Sequence, residues 1–177
     1  MKFRINRLKL LNALSKTTKA VSIRSPLPVL TGIKFDLQPD GLILTGSDSD
    51  ITIQTKIETS DDLVIEQTGG VVLNSRYILE IVRKIDSDEI SLEIIDGSLT
   101  RISGATSKFD LNGNDVIDYP RIDLSKTGTK VLINAFTLKD VITQTKFAAS
   151  EKEHKPILTG INFKAANNQL EVTATDS

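Results

Sequence analysis

The sequence contains no cysteine and no tryptophan, and aromatic residues make up only 5% of it. Without cysteine the protein forms neither disulfide bonds nor thiolate metal sites, which fits a reducing compartment. No run of about 18 apolar residues occurs, so no membrane-spanning helix is expected. The N-terminus alternates polar and apolar residues and lacks the apolar core of a signal peptide. These absences predict a soluble, cytoplasmic protein.

Charge is distributed unevenly along the chain. The net charge is only -1, which by itself argues against binding to nucleic acid phosphates. Residues 1–35 nevertheless contain basic side chains and no acidic ones, whereas residues 36–70 contain many acidic side chains and one cation, Lys56. This segregation predicts one attractive face on an otherwise repulsive surface.

Residues that could support catalysis are few and isolated. The only histidine, His154, lies in a charged segment without a second ligand at a suitable spacing, so we interpret it as a solvated loop residue. The run Asp48-Ser49-Asp50 is more typical of a strand edge than of a cation site. The sequence has no phosphate-binding loop and no nucleophile elbow. We therefore predict that the protein is not an enzyme and binds no metal or cofactor.

An internal repeat organises the chain. Phe3–Ser49 aligns without a gap over Val131–Ser177, and the most similar stretch sets Pro28–Phe35 on Pro156–Phe163. The identities exceed what typical composition gives by chance, so we interpret the pattern as a duplication. It predicts a complete first domain over residues 1–127 and the N-terminal part of a second copy over residues 128–177.

Each copy begins with a short apolar run, an asparagine and a helical pattern. We expect Asn6 and Asn134 to cap their helices, and the same plan recurs at Asn74. Alternating runs separated by turn residues then predict strands. The predicted strands are Ile33–Leu37, Gly41–Thr45, Ile51–Ile57, Ile90–Ile95, Leu99–Ser103 and Ser107–Leu111. The pattern predicts an α+β fold made of two β-α-β-β-β units, with mostly antiparallel sheets and both helices on one face.

Basic residues recur on the solvent side of every predicted helix. In the first helix, Lys9, Lys16 and Lys19 lie opposite an apolar arc that includes Leu10 and Leu14. Lysines on a solvated helix face are ordinary, but three helices with the same placement favour a surface that faces DNA. The residues predicted for this surface are Lys9, Lys16, Lys19, Arg83, Lys139 and Lys146.

Several stretches make the sequence recognisable. They are Met1-Lys2-Phe3, Leu27-Pro28-Val29-Leu30 with Gly32, Leu44-Thr45-Gly46-Ser47-Asp48, and Thr173-Ala174-Thr175-Asp176. Together, and in order along the whole chain, they resemble the bacterial sliding clamp family, the beta subunit of DNA polymerase III. The tandem repeat agrees with the architecture of that family.

The resemblance implies a function that depends on topology. Members of the family have three such domains, and two chains form a head-to-tail homodimer ring around duplex DNA. Helices line the hole and sheets form the outer wall. The ring acts as a processivity factor in DNA replication because it tethers the polymerase without binding a particular DNA sequence. The implied partners are double-stranded DNA, the replicative polymerase and the clamp loader, the latter two through short peptide motifs.

The resemblance also assigns residues to sites. Arg24 matches a DNA-contacting loop arginine, and Lys152 lies in a loop near the hole. The dimer contact is expected at Arg76, Ile81, Lys108 and Phe109, and part of the peptide pocket at Leu158 and Thr175.

The third domain of the family is absent from the sequence, and the second is incomplete. We therefore expect an N-terminal fragment whose unpaired strands after about Val131 expose edges and apolar faces, which leads to poor order or to self-association. Two other functions stay open: a protein-docking scaffold without a DNA role, and a β-rich single-strand-binding module.

Overall fold

The computed structural model describes residues 1–22, 25, 27–125, 128–152, 154–167 and 169–177. The chain divides into two compact units, Met1–Ile122 (unit 1) and Asp123–Ser177 (unit 2). The domain boundary predicted between residues 127 and 128 falls beside residues outside the described ranges. Within those ranges, no helix is long and apolar enough to cross a membrane.

Unit 1 alternates two groups of strands with two helices. Its elements are β1 (Lys2–Asn6), α1 (Arg7–Thr17), β2 (Gly32–Gln38), β3 (Gly41–Ser47), β4 (Thr52–Glu58), β5 (Leu63–Gln67), β6 (Gly69–Asn74), α2 (Ser75–Lys84), β7 (Glu89–Asp96), β8 (Leu99–Ser103) and β9 (Lys108–Asn112). Unit 2 contains α3 (Ala135–Thr145), β10 (Asn162–Ala166) and β11 (Gln169–Thr173).

Two antiparallel sheets form unit 1, and each sheet combines strands from both halves of the sequence of unit 1. The five-stranded sheet has the order β5-β1-β7-β8-β9, and the four-stranded sheet has the order β4-β3-β2-β6. Strand β1 therefore pairs with β7, and β6 pairs with β2. The predicted α+β class with antiparallel sheets is confirmed.

One hydrophobic core joins both sheets and both helices of unit 1. Leu10 and Leu14 of α1 and Ile78 and Val82 of α2 are fully buried in it together with Phe35. Helix α1 packs against α2 and against β3 and β4. Because the helices share one core with the inner faces of both sheets, they lie on the side opposite the solvated faces of the sheets.

Asparagine caps begin all three α-helices. The Asn6 side-chain oxygen accepts hydrogen bonds from the N–H groups of Leu8 (3.0 Å) and Lys9 (3.2 Å). Asn74 accepts from two N–H groups of α2 in the same way, and Asn134 accepts from Phe136 N–H at 2.9 Å. The predicted caps at Asn6 and Asn134 are confirmed, as is the recurrence of this plan at Asn74.

The structure departs from the predicted pattern at two strands. Strand β5 was not predicted, because its sequence Leu63-Val64-Ile65 lacks alternation; it forms by pairing with the free edge of β1. The prediction of a strand before α3 is wrong, because residues 129–134 have no regular structure. In unit 1 the corresponding strand β1 lies between two neighbours, and no described strand of unit 2 pairs with residues 131–134.

The chain after β9 returns to the four-stranded sheet. Asn114 forms a two-hydrogen-bond bridge with Val72 of β6, with both N–O distances at 2.9 Å. Tyr119 is then buried beside Leu30 and Val72, and its hydroxyl donates to the Thr45 carbonyl at 3.4 Å. Burial raises the pKa of the Tyr119 phenol to about 12. This segment covers the edge of β6 through a single bridge, whereas β5 pairs with β1 over several residues.

Candidate nucleic-acid interface

Helix α1 presents lysines to solvent on the side away from the core. Lys9, Lys16 and Lys19 are exposed, and the helix sequence contains no acidic residue. The Lys9 ammonium lies 2.5 Å from the Asp62 carboxylate, so its charge is partly compensated. Lys16 and Lys19 form no ion pair with the described part of the chain, so their charge remains available to a phosphate.

Helix α2 contributes a weaker cationic position. Arg83 is exposed and donates to Glu80 at 2.5 Å, one turn earlier, and Lys84 lies 3.8 Å from the same carboxylate. Such exposed pairs form and break at little cost. Arg83 can therefore exchange Glu80 for a phosphate, but it begins from a neutralised state.

On the five-stranded sheet, the cations of β1 lie among carboxylates. On β1, Phe3 and Ile5 face the core, so the alternating residues Lys2 and Arg4 face the other way. Their neighbours on β5 and β7 are acidic: Lys2 pairs with Glu66 and Glu93, and Arg4 pairs with Glu66 and Glu89. The hydrogen bond with Glu66, followed by the charge of Glu93, raises the pKa of Lys2.

The cationic opening of the sequence is thus divided between two faces. The basic residues of β1 form ion pairs on the sheet, whereas Lys16 of α1 and Lys19 of the 3₁₀ turn that follows it form none with the described residues. Segregation along the sequence did not predict this division, because the acidic partners on β5 and β7 are distant in sequence and adjacent only across the sheet. Among the described residues, Lys16 and Lys19 on the helix side have no ion-pair partner, whereas the cations of β1 on the sheet side have carboxylate partners.

The basic residues predicted in unit 2 are all on its surface. Lys139 in α3, Lys146 in the following 3₁₀ turn and Lys152 are exposed. The N–H of Lys152 donates to Ser150 Oγ at 3.1 Å, which shapes the loop that carries it. Arg24, the loop arginine, lies outside the described residues.

The residues predicted for the dimer contact lie on two elements that touch. Lys108 and Phe109 are on β9, the edge strand of the five-stranded sheet, and α2 contacts β9. Arg76 is exposed in the first turn of α2, while Ile81 is partly buried against the core. An edge strand offers unpaired N–H and C=O groups, and Phe109 adds an aromatic ring that is 38% exposed. Two of the four residues therefore lie on an edge strand, and two lie on a helix that contacts this strand.

An exposed ion pair that sequence patterns did not reveal connects this edge strand to β8. The Arg101 guanidinium on β8 donates two hydrogen bonds of 2.8 Å to the two carboxylate oxygens of Asp110 on β9. These hydrogen bonds lower the pKa of Asp110. The two residues are cross-strand neighbours, so the pairing register of β8 and β9 was the signal required to find them.

The two residues predicted for the peptide pocket line one groove. Leu158 and Thr175 border an open cavity of about 490 Å³, together with Ile157, Ile161, Asn162 and Thr173. Leu158 is partly buried and Thr175 is exposed, so the lining combines an apolar and a polar side chain. Nowhere in the described residues is there a cluster of three potential metal ligands.

Comparison with models of protein families shows which family the chain belongs to. A family model described as the DNA polymerase III beta subunit, N-terminal domain, matches residues 1–123. The model of the central domain matches residues 132–177. The chain belongs to the DNA polymerase III beta subunit family.

Individual members of the beta subunit family are similar over the whole of this chain. The beta sliding clamp of Bacillus subtilis is 41% identical over 181 residues, covering 100% of this chain and 48% of that protein. A crystal structure of the DNA polymerase sliding clamp from Bacillus subtilis superposes with a TM-score of 0.95 and 40% identity, over 99% of this chain and 47% of that one. A DNA polymerase III beta chain structure from Streptococcus pneumoniae gives a TM-score of 0.94 and 30% identity, over 99% and 48%.

The predicted DNA-clamp fold is confirmed by these superpositions. The chain spans about half the length of the curated relatives it matches.

Proposed function

We propose that this chain is part of a DNA sliding clamp, a non-catalytic processivity factor that encircles duplex DNA and tethers the replicative polymerase in the bacterial cytoplasm. The observation that carries the proposal is the difference between the two sides of unit 1. Lys16 and Lys19 are exposed on the helix side and have no ion pair within the described ranges, while Lys2 and Arg4 are paired with carboxylates on the sheet side. The names of the relatives support the same function.

The charge pattern suits a ring that slides. Lysines on helices contact phosphates without reading base edges, so the attraction does not depend on DNA sequence. At physiological ionic strength the attraction extends only about 8 Å, which keeps it weak at the centre of a wide hole. Arg83, Lys139, Lys146, Lys152, Lys9 and Arg24 complete the DNA-facing set in this proposal.

In this proposal the β9 edge closes the ring. A strand from the partner chain would add to β9 through main-chain hydrogen bonds, with Lys108 and Phe109 contributing side-chain contacts. Arg76 and Ile81 on α2 would lie beside that junction. The groove bordered by Leu158 and Thr175 would accept short peptides of the polymerase and the clamp loader.

Retention on DNA tests the proposed function. The full-length protein that contains this chain is loaded by its loader onto a nicked circular plasmid, which is then cut at one site. We expect the protein to stay on circles and to leave linear DNA, because its hold is topological. Loss from both circular and linear DNA, or retention on both, would contradict the ring mechanism and favour a docking scaffold or an ordinary DNA binder.

Double variants that each remove two lysines test whether the helix side of unit 1 faces DNA. Lys16→Ala with Lys19→Ala should reduce the slope of log affinity for short duplex DNA against log salt by about 2, since each lost phosphate contact removes about 0.9. The matched control is Lys2→Ala with Lys56→Ala, which removes the same charge from sites already paired with Glu66 and Asp40. An equal effect of both double variants would contradict the assignment of the helix side.

A further inference from the structure

Asn112 and Gly113 form the one Asn-Gly dipeptide of the sequence, at the point where the chain leaves β9. Asparagine is a chemically labile residue. The backbone nitrogen of the next residue can attack its side-chain amide carbon, and a following glycine hinders this attack least because it has no Cβ. The Asn112 side chain is exposed, so water reaches it. The sequence alone therefore marks Asn112 as the most reactive asparagine of the chain.

The fold holds the nitrogen that would attack. The N–H of Gly113 donates to the carbonyl of Ser98, in the turn between β7 and β8, at 3.1 Å. The next residue, Asn114, exchanges two hydrogen bonds of 2.9 Å with Val72 of β6. A hydrogen-bonded amide keeps its proton, and a nitrogen held between this turn and β6 cannot approach the side chain that precedes it. The closed state of these contacts therefore protects Asn112.

Position 113 is also a place where the fold requires glycine. A Cβ there would lie 2.6 Å from Cγ2 of Val71 and 2.9 Å from the carbonyl oxygens of Ser98 and Val72. Two of these three atoms belong to the backbone, so they cannot move aside as a flexible side chain would. A larger residue would slow the attack on Asn112, but it would also break the contacts around it. The reactive dipeptide therefore follows from the close approach of the chain to β6.

The protecting contacts lie at the edge of a sheet. Among the described strands, β9 has one neighbour, β8. The exposed ion pair between Arg101 and Asp110 connects these two strands just before Asn112. A single edge strand opens locally more often than the whole unit unfolds. Each opening frees the Gly113 nitrogen for a short time.

We propose that Asn112 is a site of spontaneous deamidation and that opening of the end of β9 sets its rate. In the open state the Gly113 nitrogen forms a bond to the side-chain carbonyl carbon of Asn112. The bond from that carbon to the amide nitrogen breaks, and ammonia leaves with the proton from Gly113. Water then adds to either carbonyl of the resulting succinimide ring. The products are aspartate, or isoaspartate in which the main chain runs through the former side chain.

The product does not restore the original contacts. Both forms add a negative charge beside Asp110, the preceding side chain on the same face of β9. Isoaspartate also adds a carbon to the main chain before Gly113, which displaces the Gly113 N–H from Ser98. A deamidated molecule therefore opens more readily at this edge, and deamidated molecules accumulate as the protein ages. This inference does not depend on whether the chain encircles DNA.

Mass spectrometry of the full-length protein that contains this chain tests the protection. Deamidation at neutral pH is compared with that of a synthetic peptide of residues 108–118, in which the contacts of Gly113 are absent. We expect the protein to react at least about ten-fold more slowly, and urea below the unfolding transition to narrow the difference. Asn112→Gln should remove the signal, which distinguishes the site from the nearby Asn114. Equal rates in protein and peptide, or a signal that persists in Asn112→Gln, would overturn the proposal.

Two matched ion-pair variants test the control by β9. Arg101→Ala removes the partner of Asp110 and should raise the deamidation rate roughly 1.5- to 5-fold, the range that the loss of an exposed pair allows. Lys56→Ala removes a comparable pair with Asp40, 2.6 Å long, on the four-stranded sheet and should leave the rate unchanged. Amide exchange of Gly113 should rise in step with deamidation. Equal rates in the two variants, or faster deamidation without faster Gly113 exchange, would show that opening of β9 does not control the site.

Discussion

Phe35 and Phe163 occupy the same place in the repeat, yet only Phe35 is buried. Both rings lie on the first strand of a hairpin with the same register, after a helix capped by asparagine. Phe35 is fully buried, whereas Phe163 is 45% exposed. The local sequence therefore suffices for the helix and the hairpin in both units. Burial requires a second half, which unit 1 contains and the described residues of unit 2 do not.

The largest expected difference between the units comes from truncating these two rings. Phe35→Ala should lower the free energy of unfolding of unit 1 by about 3–5 kcal/mol, through lost transfer energy and the cavity left behind. Phe163→Ala should change it by less than about 0.5 kcal/mol, as is usual for a surface substitution. Urea unfolding followed by tyrosine fluorescence checks this, because both tyrosines, Tyr77 and Tyr119, are in unit 1. Equal losses from both variants would mean that the two units unfold as one.

A smaller effect is expected at a glycine that unit 2 does not share. A Cβ on Gly46 would lie 2.6 Å from the Thr17 carbonyl oxygen and 2.9 Å from a Val21 methyl carbon. Unit 2 has Ala174 at the aligned position and the smaller Ala149 in place of Val21. Gly46→Ala should therefore destabilise unit 1 by about 1–3 kcal/mol in the same urea experiment.

Unit 2 combines Ala174 with the smaller Ala149. Adding Val21→Ala to Gly46→Ala tests whether a smaller side chain at position 21 makes room for the added methyl group. The double variant should recover part of the lost stability. The rest of the loss comes from the Thr17 carbonyl oxygen, which cannot move away from the added methyl group unless α1 moves. A double variant whose loss of stability equals the sum of the two single losses would show that the contact with Val21 does not matter.

The smallest expected effect concerns the helix caps. Asn74→Ala should cost unit 1 about 1 kcal/mol, because two N–H groups of α2 lose their acceptor. Asn134→Ala should instead fray the first turn of α3 and leave the stability of unit 1 unchanged, as amide exchange of each helix would show. Asn12→Ala, an exposed change inside α1, serves as the control and should not destabilise. If the cap variant and the control cost unit 1 the same, the capping assignment of Asn74 is wrong.

Local signals in the sequence were sufficient for most elements of the fold. The asparagine caps, the apolar spacing at Leu10 and Leu14, and the turn at Asp96-Gly97 each act within a few residues, and the helices and hairpins follow from them. Strand β5 required the edge of β1, far away in sequence. Residues 131–134 carry a strand pattern that has no described neighbour, so the same kind of signal gave the wrong structure there.

The candidate site shows the same contrast between local signals and long-range pairing. The exposure of Lys16 and Lys19 follows from helical periodicity, and the structure places both on the solvent side. The neutralisation of Lys2 and Arg4 depends on Glu66, Glu89 and Glu93, which sheet pairing alone brings near. Helix periodicity could therefore identify candidate cations, but only the sheet topology shows which ones are already paired.

The pairing of β1 with β7 has a consequence for synthesis on the ribosome. Phe3 lies opposite Leu92, so β1 cannot gain its central neighbour until the chain has grown past β7. At about 5–20 residues per second, that delay is about 5–20 s after β1 is made. During this interval Phe3 and Ile5 lack the neighbouring strand β7, and β5 is the one described strand that can already pair with β1. The N-terminus of the nascent chain is therefore among the last segments to fold and is the segment on which chaperones have the longest time to act.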